Sequence, residues 1–399
     1  MVGHGEEPVS PDVGIEDPRD SAGDDAQTVD PIGVLRAGGP PVPNGGGGET
    51  SQGVLVGVGP SERRAAHRSD TVVTHSLITA FRECPKKAWF SYFAGGTGVV
   101  PSRLSKALAI GSSYHHAMEL VCNSRRAGQD VTASDIRNAV NEWVTENRMD
   151  LPREDIPIIQ AQASGAAIAH ARKLNGLSWK IHFVEVIFKV QLLPHVVLTG
   201  KIDAVISDED GTWIVEHKTA SDSDLGDYLE TLPSDAQVLR YIYSVRALGW
   251  SITGCKYTIA QKSLIRGRKN EPTWDTARRI EAELIEPGQE GAFHQDVRPG
   301  VDDVRRCISD TQDTARDIEN CVLGDRPWTR HERSCRGTYG VCPFYRICIK
   351  VPWDGLGDVP IGFRAKMSRH EELMEGANLP VAPNGQNNMR SVRPVESRV

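Results

Sequence analysis

Three charged residues interrupt strand-like apolar patterns in the stretch TGKIDAVISDEDGTWIVEHKTA, residues 199–220: Asp203, Glu216 and Lys218. Side chains alternate faces along an extended chain, so Glu216 and Lys218 project one way and His217 the other. The turn DEDG at 208–211 joins two antiparallel strands and lets Asp203 converge with them. Two carboxylates a water's diameter apart repel and take up a proton unless a divalent cation neutralises them, and carboxylate ligation favours Mg2+ or Mn2+. A lysine beside such a metal orients or deprotonates a water and neutralises a phosphate. The trio therefore suits metal-assisted hydrolysis of a phosphodiester. The plainer account is a wet hairpin face whose charges pair across the strands.

The elements that must position these residues are legible in the hydrophobic periodicity. SLITAFRECPKKAWFSYF (76–93) has helical spacing with a break at Pro85, a further helix runs through LSKALAIGSSYHHAMELVCNSRRAG, and two more fill residues 132–175. The period then changes to that of strands over 182–193, 195–207 and 212–220. SDAQVLRYIYSVRALG (234–249) is an amphipathic helix, and ITGCKYTIAQKS is a further strand. Helix, three strands, helix, strand predicts an α/β core with a mixed sheet.

Two more features sharpen the pattern. GSSYHHAME places Gly111 four residues before His115 on an upstream helix, and QVLRY places Gln237 and Tyr241 on the helix after the strands. Gly-x-x-x-His, GKIDAVI, EHKTA and QVLRY together resemble the PD-(D/E)XK nuclease superfamily in its RecB-like branch. The resemblance implies a restriction-endonuclease-like fold, a mixed sheet flanked by helices with a helical insertion. It implies His115, Asp203 and Glu216 as metal ligands, Lys218 as the catalytic lysine, and Gln237 with Tyr241 holding the site and contacting DNA. The glycine spacing selects His115 over the adjacent His116; Glu185, one strand earlier, is a candidate additional acid but is set aside as a solvated charge at a strand edge.

Eight cysteines without a secretory signal argue against a disulfide framework. Cys122, Cys255, Cys307 and Cys321 fall in helix or strand patterns and read as small buried apolar residues. Cys84 stands before the site motifs, and Cys335, Cys342 and Cys348 follow them in CRGTYGVCPFYRIC. Three thiolates in one short loop can surround one centre, with a fourth from a distance. This arrangement resembles the iron-sulfur nucleases of the RecB-like branch, among them the AddB nuclease domain and the CRISPR-associated adaptation nucleases. It implies a 4Fe-4S cluster stapling an N-terminal helix to a C-terminal loop. Six residues separate Cys335 from Cys342, where the family often has two. Zinc is the alternative, with His331 as a substitute ligand.

The formal net charge of −7 belongs to one end of the chain. Residues 1–50 hold ten Asp/Glu against two Arg, so the remainder carries +1, and a near-neutral body can carry a local basic groove. SLIRGRK (263–269) and RSVR (390–393) are candidates for one, each with solvated surface charge as its plainer reading. Residues 1–70, rich in Gly, Pro, Asp and Ser, predict a disordered tail, residues 71–369 one nuclease domain, and residues 370–399 a second disordered tail. Apolar runs are too short to span a bilayer, which predicts no membrane partner and a cytoplasmic protein.

The sequence thus predicts a single-strand-preferring DNA exonuclease of recombination, repair or phage DNA processing. Its partners are DNA and a helicase or recombination protein, because no phosphate-binding motor loop is encoded. The alternative is a non-catalytic nucleic-acid-binding or scaffold subunit of a helicase-nuclease or CRISPR adaptation complex. A catalytic adaptation factor shares the same chemistry.

Overall fold

The computed structural model describes residues 70–221, 225–288, 291–337, 340–374 and 376–382. These belong to one unit, residues 60–399, and the acidic N-terminal stretch expected as a tail lies outside the described residues. In chain order, β1 (Thr71–Val73) leads into α1 (His75–Glu83) and α2 (Pro85–Tyr92). The strand β2 (Val99–Pro101) precedes three long helices, α3 (Lys106–Arg126), α4 (Ala133–Glu146) and α5 (Ile156–Asn175). Next come β3 (Lys180–Leu193), β4 (Val196–Asp208), β5 (Gly211–Ser221), α6 (Leu225–Thr231), α7 (Ala236–Ala247), β6 (Gly254–Lys262), α8 (Thr273–Ile285), β7 (Ala292–Val297) and α9 (Val301–Leu323). The C-terminal part carries the short strands β8 (Arg336–Gly337), β9 (Gly340–Val341), β10 (Phe363–Ala365) and β11 (Ala377–Asn378).

The local sequence explains the boundaries that matter. Thr74 caps α1 by accepting from the N–H of Leu77, and Pro85 opens α2 at a first-turn position where its missing N–H is no loss. Ser105 caps α3, and Thr132 with Asp135 forms a capping box on α4. Asp235 caps α7 through the N–H of Gln237.

A seven-stranded mixed sheet runs in the order β11-β3-β4-β5-β6-β7, with β1 also paired to β4. The pairs β3/β4, β4/β5 and β6/β7 are antiparallel, whereas β5/β6 is parallel. One face packs on α1, α7 and α9 through Leu77, Val238, Ile242, Ile308 and Ile318. The other face carries α3, α4 and α5 through Tyr114, Met118, Val140 and Ile159, with Ala260 from the sheet. This α/β architecture is that of the restriction-endonuclease-like fold.

The sheet forks at one place. Pairing of β4 with β5 runs from Asp208↔Gly211 to Ala204↔Val215 and ends there, while β5 continues along β6 as far as Ser221↔Lys262. The residues immediately past the last pair are Asp203 and Glu216, so both stand in the crotch of the fork.

The C-terminal boundary differs from the one expected. β11 pairs in parallel with Val186 and Ile187, and Leu379 and Ala382 are buried against the body. Few apolar residues suffice here because an edge strand supplies backbone hydrogen bonds. The rest of the stretch expected as a tail, from residue 383, lies outside the described residues.

Candidate active site

The fork removes Asp203 and Glu216 from the ladder but not from the interior. Asp203 is 9% exposed and Glu216 2%, which rules out a wet hairpin face. Ile214 packs on the α7 side of the sheet, so by strand alternation Glu216 and Lys218 face α7, and His217 turns to the opposite layer. There its Nδ1 lies 2.5 Å from Thr258 Oγ1 and its Nε2 3.7 Å from Cys122 Sγ.

α7 completes a short chain of hydrogen bonds. Lys218 Nζ lies 2.5 Å from Glu216 Oε1 and donates to Gln237 Oε1 at 3.0 Å. Gln237 Nε2 donates to the same Glu216 oxygen at 2.9 Å and to the Tyr241 hydroxyl at 3.1 Å. Gln237 and Tyr241 are one turn apart and share a helix face. Asp235 sets where that turn begins: one carboxylate oxygen accepts from the Gln237 N–H at 2.7 Å, the other from the Tyr257 hydroxyl of β6 at 2.8 Å. Gly200 makes room for the arrangement, since a Cβ there would stand 2.8 Å from Phe188 Cζ and 3.0 Å from Tyr241 Cε1.

From the other layer, α3 brings His115 to the crotch. Its Nδ1 is 3.6 Å from Asp203 Oδ1, while Asp203 Oδ2 accepts from the His217 N–H at 2.7 Å. His116, next along the helix, instead lines an open groove with Glu119 and Asp135, away from this group. The structure thus places His115, Asp203, Glu216, Lys218, Gln237 and Tyr241 in one connected site.

Glu185 corrects the sequence reading. Far from being a solvated edge charge, it is 9% exposed and stands across from Asp203, between the pairs Val184↔Ala204 and Val186↔Ile202. His115, Glu185 and Asp203 each offer a ligand atom, and these atoms lie within 4.8 Å of one another. Glu185 adopts a left-handed φ of 49°, a strained conformation for a residue with a Cβ. Gly376 lies over its backbone, where a Cβ would come within 2.7 Å of the Glu185 carbonyl oxygen. Counting back through the β3–β4 hairpin from its turn would have set Val186 opposite Asp203; the irregularity between Gln191 and Leu193 shifts the register by one and brings Glu185 there instead.

The electrostatics are those of too much negative charge in too little water. Burial and then the Asp203 charge push Glu216 up to about 7, against the pull of Lys218 and His115. Glu185 is likewise pushed up to about 7 by burial and Asp203, despite a 2.5 Å ion pair with Lys201. Burial would also raise Asp203, but His115 and the His217 N–H outweigh it and hold that carboxyl well below its ordinary value. Burial works against a charged His115, yet Asp203 beside it raises its pKa. One polar atom is left over: Glu216 Oε2 is buried without a hydrogen-bond partner. A carboxylate oxygen in that state is costly unless a cation meets it. An imidazole, three carboxylates and an orphaned oxygen suit a hard divalent cation such as Mg2+ or Mn2+.

A second cluster lies at the junction of α1 and α2. Cys84 Sγ accepts from the His331 N–H at 3.4 Å, and the Thr329 carbonyl accepts from Lys86 N at 2.9 Å. Ser334 Oγ donates to the Glu83 carbonyl at 2.5 Å, so the segment before Cys335 is docked on Cys84. Cys342 N donates to Cys335 O at 3.0 Å, and Cys342 and Cys348 pack around Phe90, Phe344 and Ile347. All four thiols are unbridged, and burial raises those of Cys342 and Cys348, each of which also senses Cys84 and Cys335. Among the described residues the group of ligand atoms close enough to hold an ion is His115, Glu185 and Asp203; the four thiols do not form one. Cys122, Cys255 and Cys321 are buried and Cys307 half-buried in the main elements.

No curated protein matches this chain significantly. Among the described residues no helix is long and apolar enough to cross a membrane. The family model for the PD-(D/E)XK nuclease superfamily matches residues 72–349, a span that takes in the forked sheet, α7 and the cysteine loop. Members of the superfamily are nucleases that use divalent metals. With most of its length covered by that match, the chain belongs to the PD-(D/E)XK nuclease superfamily.

Proposed function

We propose that this protein is a DNA nuclease that hydrolyses single-stranded DNA from an end, with the site at the fork of β4 and β5 as its catalytic centre. The observation that carries the reading is the buried, unpartnered Glu216 Oε2 beside the His115–Glu185–Asp203 group, with Lys218 held next to it by Gln237. His115, Asp203 and Glu216 are the proposed metal ligands, with Glu185 added by the geometry. A divalent cation bound there supplies charge for the scissile phosphate and lowers the pKa of a bound water.

The protein's own residues do the rest. Lys218 positions the attacking water and offsets phosphate charge. Gln237 holds Lys218 Nζ and Glu216 Oε1 in fixed relation, so neither must reorganise when DNA arrives. Tyr241 orients the Gln237 amide. Exonuclease action and the choice of single strands draw support from the resemblance of the Gly-x-x-x-His, EHKTA and QVLRY motifs to RecB-like nucleases. Recombination, repair or phage DNA processing, in company with a helicase or recombination partner, is the setting proposed on the same ground.

Cys84, Cys335, Cys342 and Cys348 are proposed to hold a 4Fe-4S cluster, with zinc as the competing occupant. The docking of the 329–335 segment on Cys84 supports a clasp between the two ends of the domain.

The test is cleavage of 5′- and 3′-end-labelled single- and double-stranded DNA by purified protein with Mg2+ or Mn2+. Mononucleotide or short products released from one labelled end of the single strand support the proposal. Metal-dependent internal nicking of duplex contradicts the exonuclease reading, and absence of cleavage by folded, cluster-loaded protein contradicts catalysis by the isolated chain.

A further inference from the structure

Residues 263–272 link β6 to α8 and leave the sheet where the fork opens. β5 and β6 are parallel and end together at Ser221 and Lys262, beyond the register of Lys218 with Ile259. Three residues of strand cover roughly 10 Å. The link therefore starts a short distance past the catalytic lysine, on the side toward which the cleft widens.

This link is tied down along its length. Gln162 of α5 accepts from the Ser263 N–H at 3.0 Å and donates to the Ser263 carbonyl at 2.9 Å. Glu271 accepts from the Arg268 N–H at 2.8 Å, from the Thr276 hydroxyl at 2.9 Å and from the Arg279 guanidinium at 2.8 and 2.7 Å. Arg279 also donates to the Arg266 carbonyl at 3.1 Å. These bonds use backbone atoms of Arg266 and Arg268. Their guanidinium groups and the Lys269 ammonium are exposed and make no hydrogen bond or ion pair with a described residue.

The same stretch of chain, 264–274, carries two large apolar side chains in solvent. Trp274 is 64% exposed and Leu264 59%, in a protein that buries Trp213 completely. A solitary exposed apolar residue needs no explanation. An exposed indole in the first turn of α8, five residues past the last of three exposed cations on a hydrogen-bonded link, is a different case, because it joins the two features that hold unpaired nucleotides: charge for the phosphates and a face for a base.

We propose that residues 262–274 form a guide for single-stranded DNA, in which Arg266, Arg268 and Lys269 hold successive phosphates and Trp274 stacks on a base. Its orientation toward the cleft rests on the nuclease reading of the fork; its binding chemistry does not. Paired bases are already stacked on both faces, so the indole discriminates in favour of single strands.

The experiment is fluorescence anisotropy of labelled oligo(dT) with the full chain in EDTA, where no cleavage occurs. Replacing Arg266, Arg268 and Lys269 together by Ala should weaken binding at least about tenfold and flatten the log–log salt dependence by about 2, from three lost phosphate contacts. Trp274→Ala should weaken oligo(dT) binding by about tenfold and leave affinity for a blunt duplex unchanged, while Trp274→Phe keeps most of the affinity. Unchanged circular dichroism and melting of these variants exclude misfolding as the cause. Wild-type affinity in the triple variant, equal loss of duplex binding in Trp274→Ala, or no oligo(dT) binding by the wild type would each overturn the guide. Because binding is read without metal, a wild type that binds through the guide but never cleaves refutes the nuclease proposal alone. One that cleaves normally after loss of the guide residues refutes the guide alone.

Discussion

Gln237 Nε2 and Glu216 Oε1 are joined by a 2.9 Å hydrogen bond that runs from α7 to the first residue of β5 beyond its pairing with β4. The same amide accepts from Lys218 Nζ through its oxygen. One side chain thus fixes both the acidic and the basic member of the EHK stretch. Gln237→Ala is expected to lower cleavage by about tenfold or more, because water and phosphate positioning lose their support. Gln237→Glu should do worse, since it adds a carboxylate beside Glu216. Single-turnover rates for the two variants, with melting temperatures unchanged for the first, check this.

Gly200 is the residue that admits Tyr241 to the site. A methyl group there meets the Phe188 and Tyr241 rings at 2.8 and 3.0 Å, and these rings already sit edge to face at 5.3 Å. Gly200→Ala should destabilise the protein by about 1–3 kcal/mol, the usual range for overpacking. Activity should fall further than stability because the displaced ring belongs to the site. Denaturant titration alongside cleavage assays separates the two effects.

Glu185 and Glu216 keep their protons up to about 7 in the metal-free fold, against 4.5 for an ordinary glutamate. The folded state therefore binds these protons more tightly than the unfolded chain. The resulting stability is fully present below the unfolded value and is lost as pH rises through about 7. Asp203 has the opposite sign: its carboxyl is depressed, so its contribution is present above the ordinary aspartate value and lost in acid. In EDTA the melting temperature should fall between about pH 5 and pH 8. Mg2+ or Mn2+ should restore it more at the alkaline end, where binding displaces no proton. Differential scanning fluorimetry across that range gives the answer; a metal shift independent of pH would contradict a site built from these two carboxylates.

Cys342→Ala is expected to abolish a broad absorbance near about 400 nm, the thiolate-to-iron transition of a four-cysteine cluster, and to lower the melting temperature. The proposed clasp would join Cys84 to residues 335–348 and close most of the domain into a loop, whose release would favour the unfolded chain. Residual cleavage should survive under conditions in which the variant remains folded. Anaerobically purified wild type that is colourless and holds stoichiometric zinc would replace the cluster with zinc.

Much of this architecture is legible in the sequence where local pattern and tertiary role agree. The three strands, α7 and the break at Pro85 follow from periodicity and capping, and the Glu216–Lys218 alternation gives their common face before any contact is known. The fork itself is not local. Nothing in TGKIDAVISDEDGTWIVEHKTA says that β4 and β5 part after Ala204 and Val215. That separation turns a surface hairpin pattern into a buried site. Glu185 was set aside as a strand-edge charge because the register shift between Gln191 and Leu193, which brings it opposite Asp203, is likewise not local to any motif. Asp235 could have been found as a helix cap, but its second bond, to Tyr257, becomes visible only in three dimensions. α8, β7 and α9 went unassigned, although Val304, Ile308, Thr311, Ala315 and Ile318 keep a helical spacing on one buried face.

The most direct test of the central claim is single-turnover cleavage of an end-labelled single-stranded oligonucleotide with Mg2+ or Mn2+, comparing the wild type with Lys218→Ala. Lys218 contributes its ammonium to the site rather than to the core, so the variant should fold and bind DNA while cleaving at least about a hundredfold more slowly. Metal-dependent cleavage by Lys218→Ala at the wild-type rate would place the chemistry elsewhere and contradict the account.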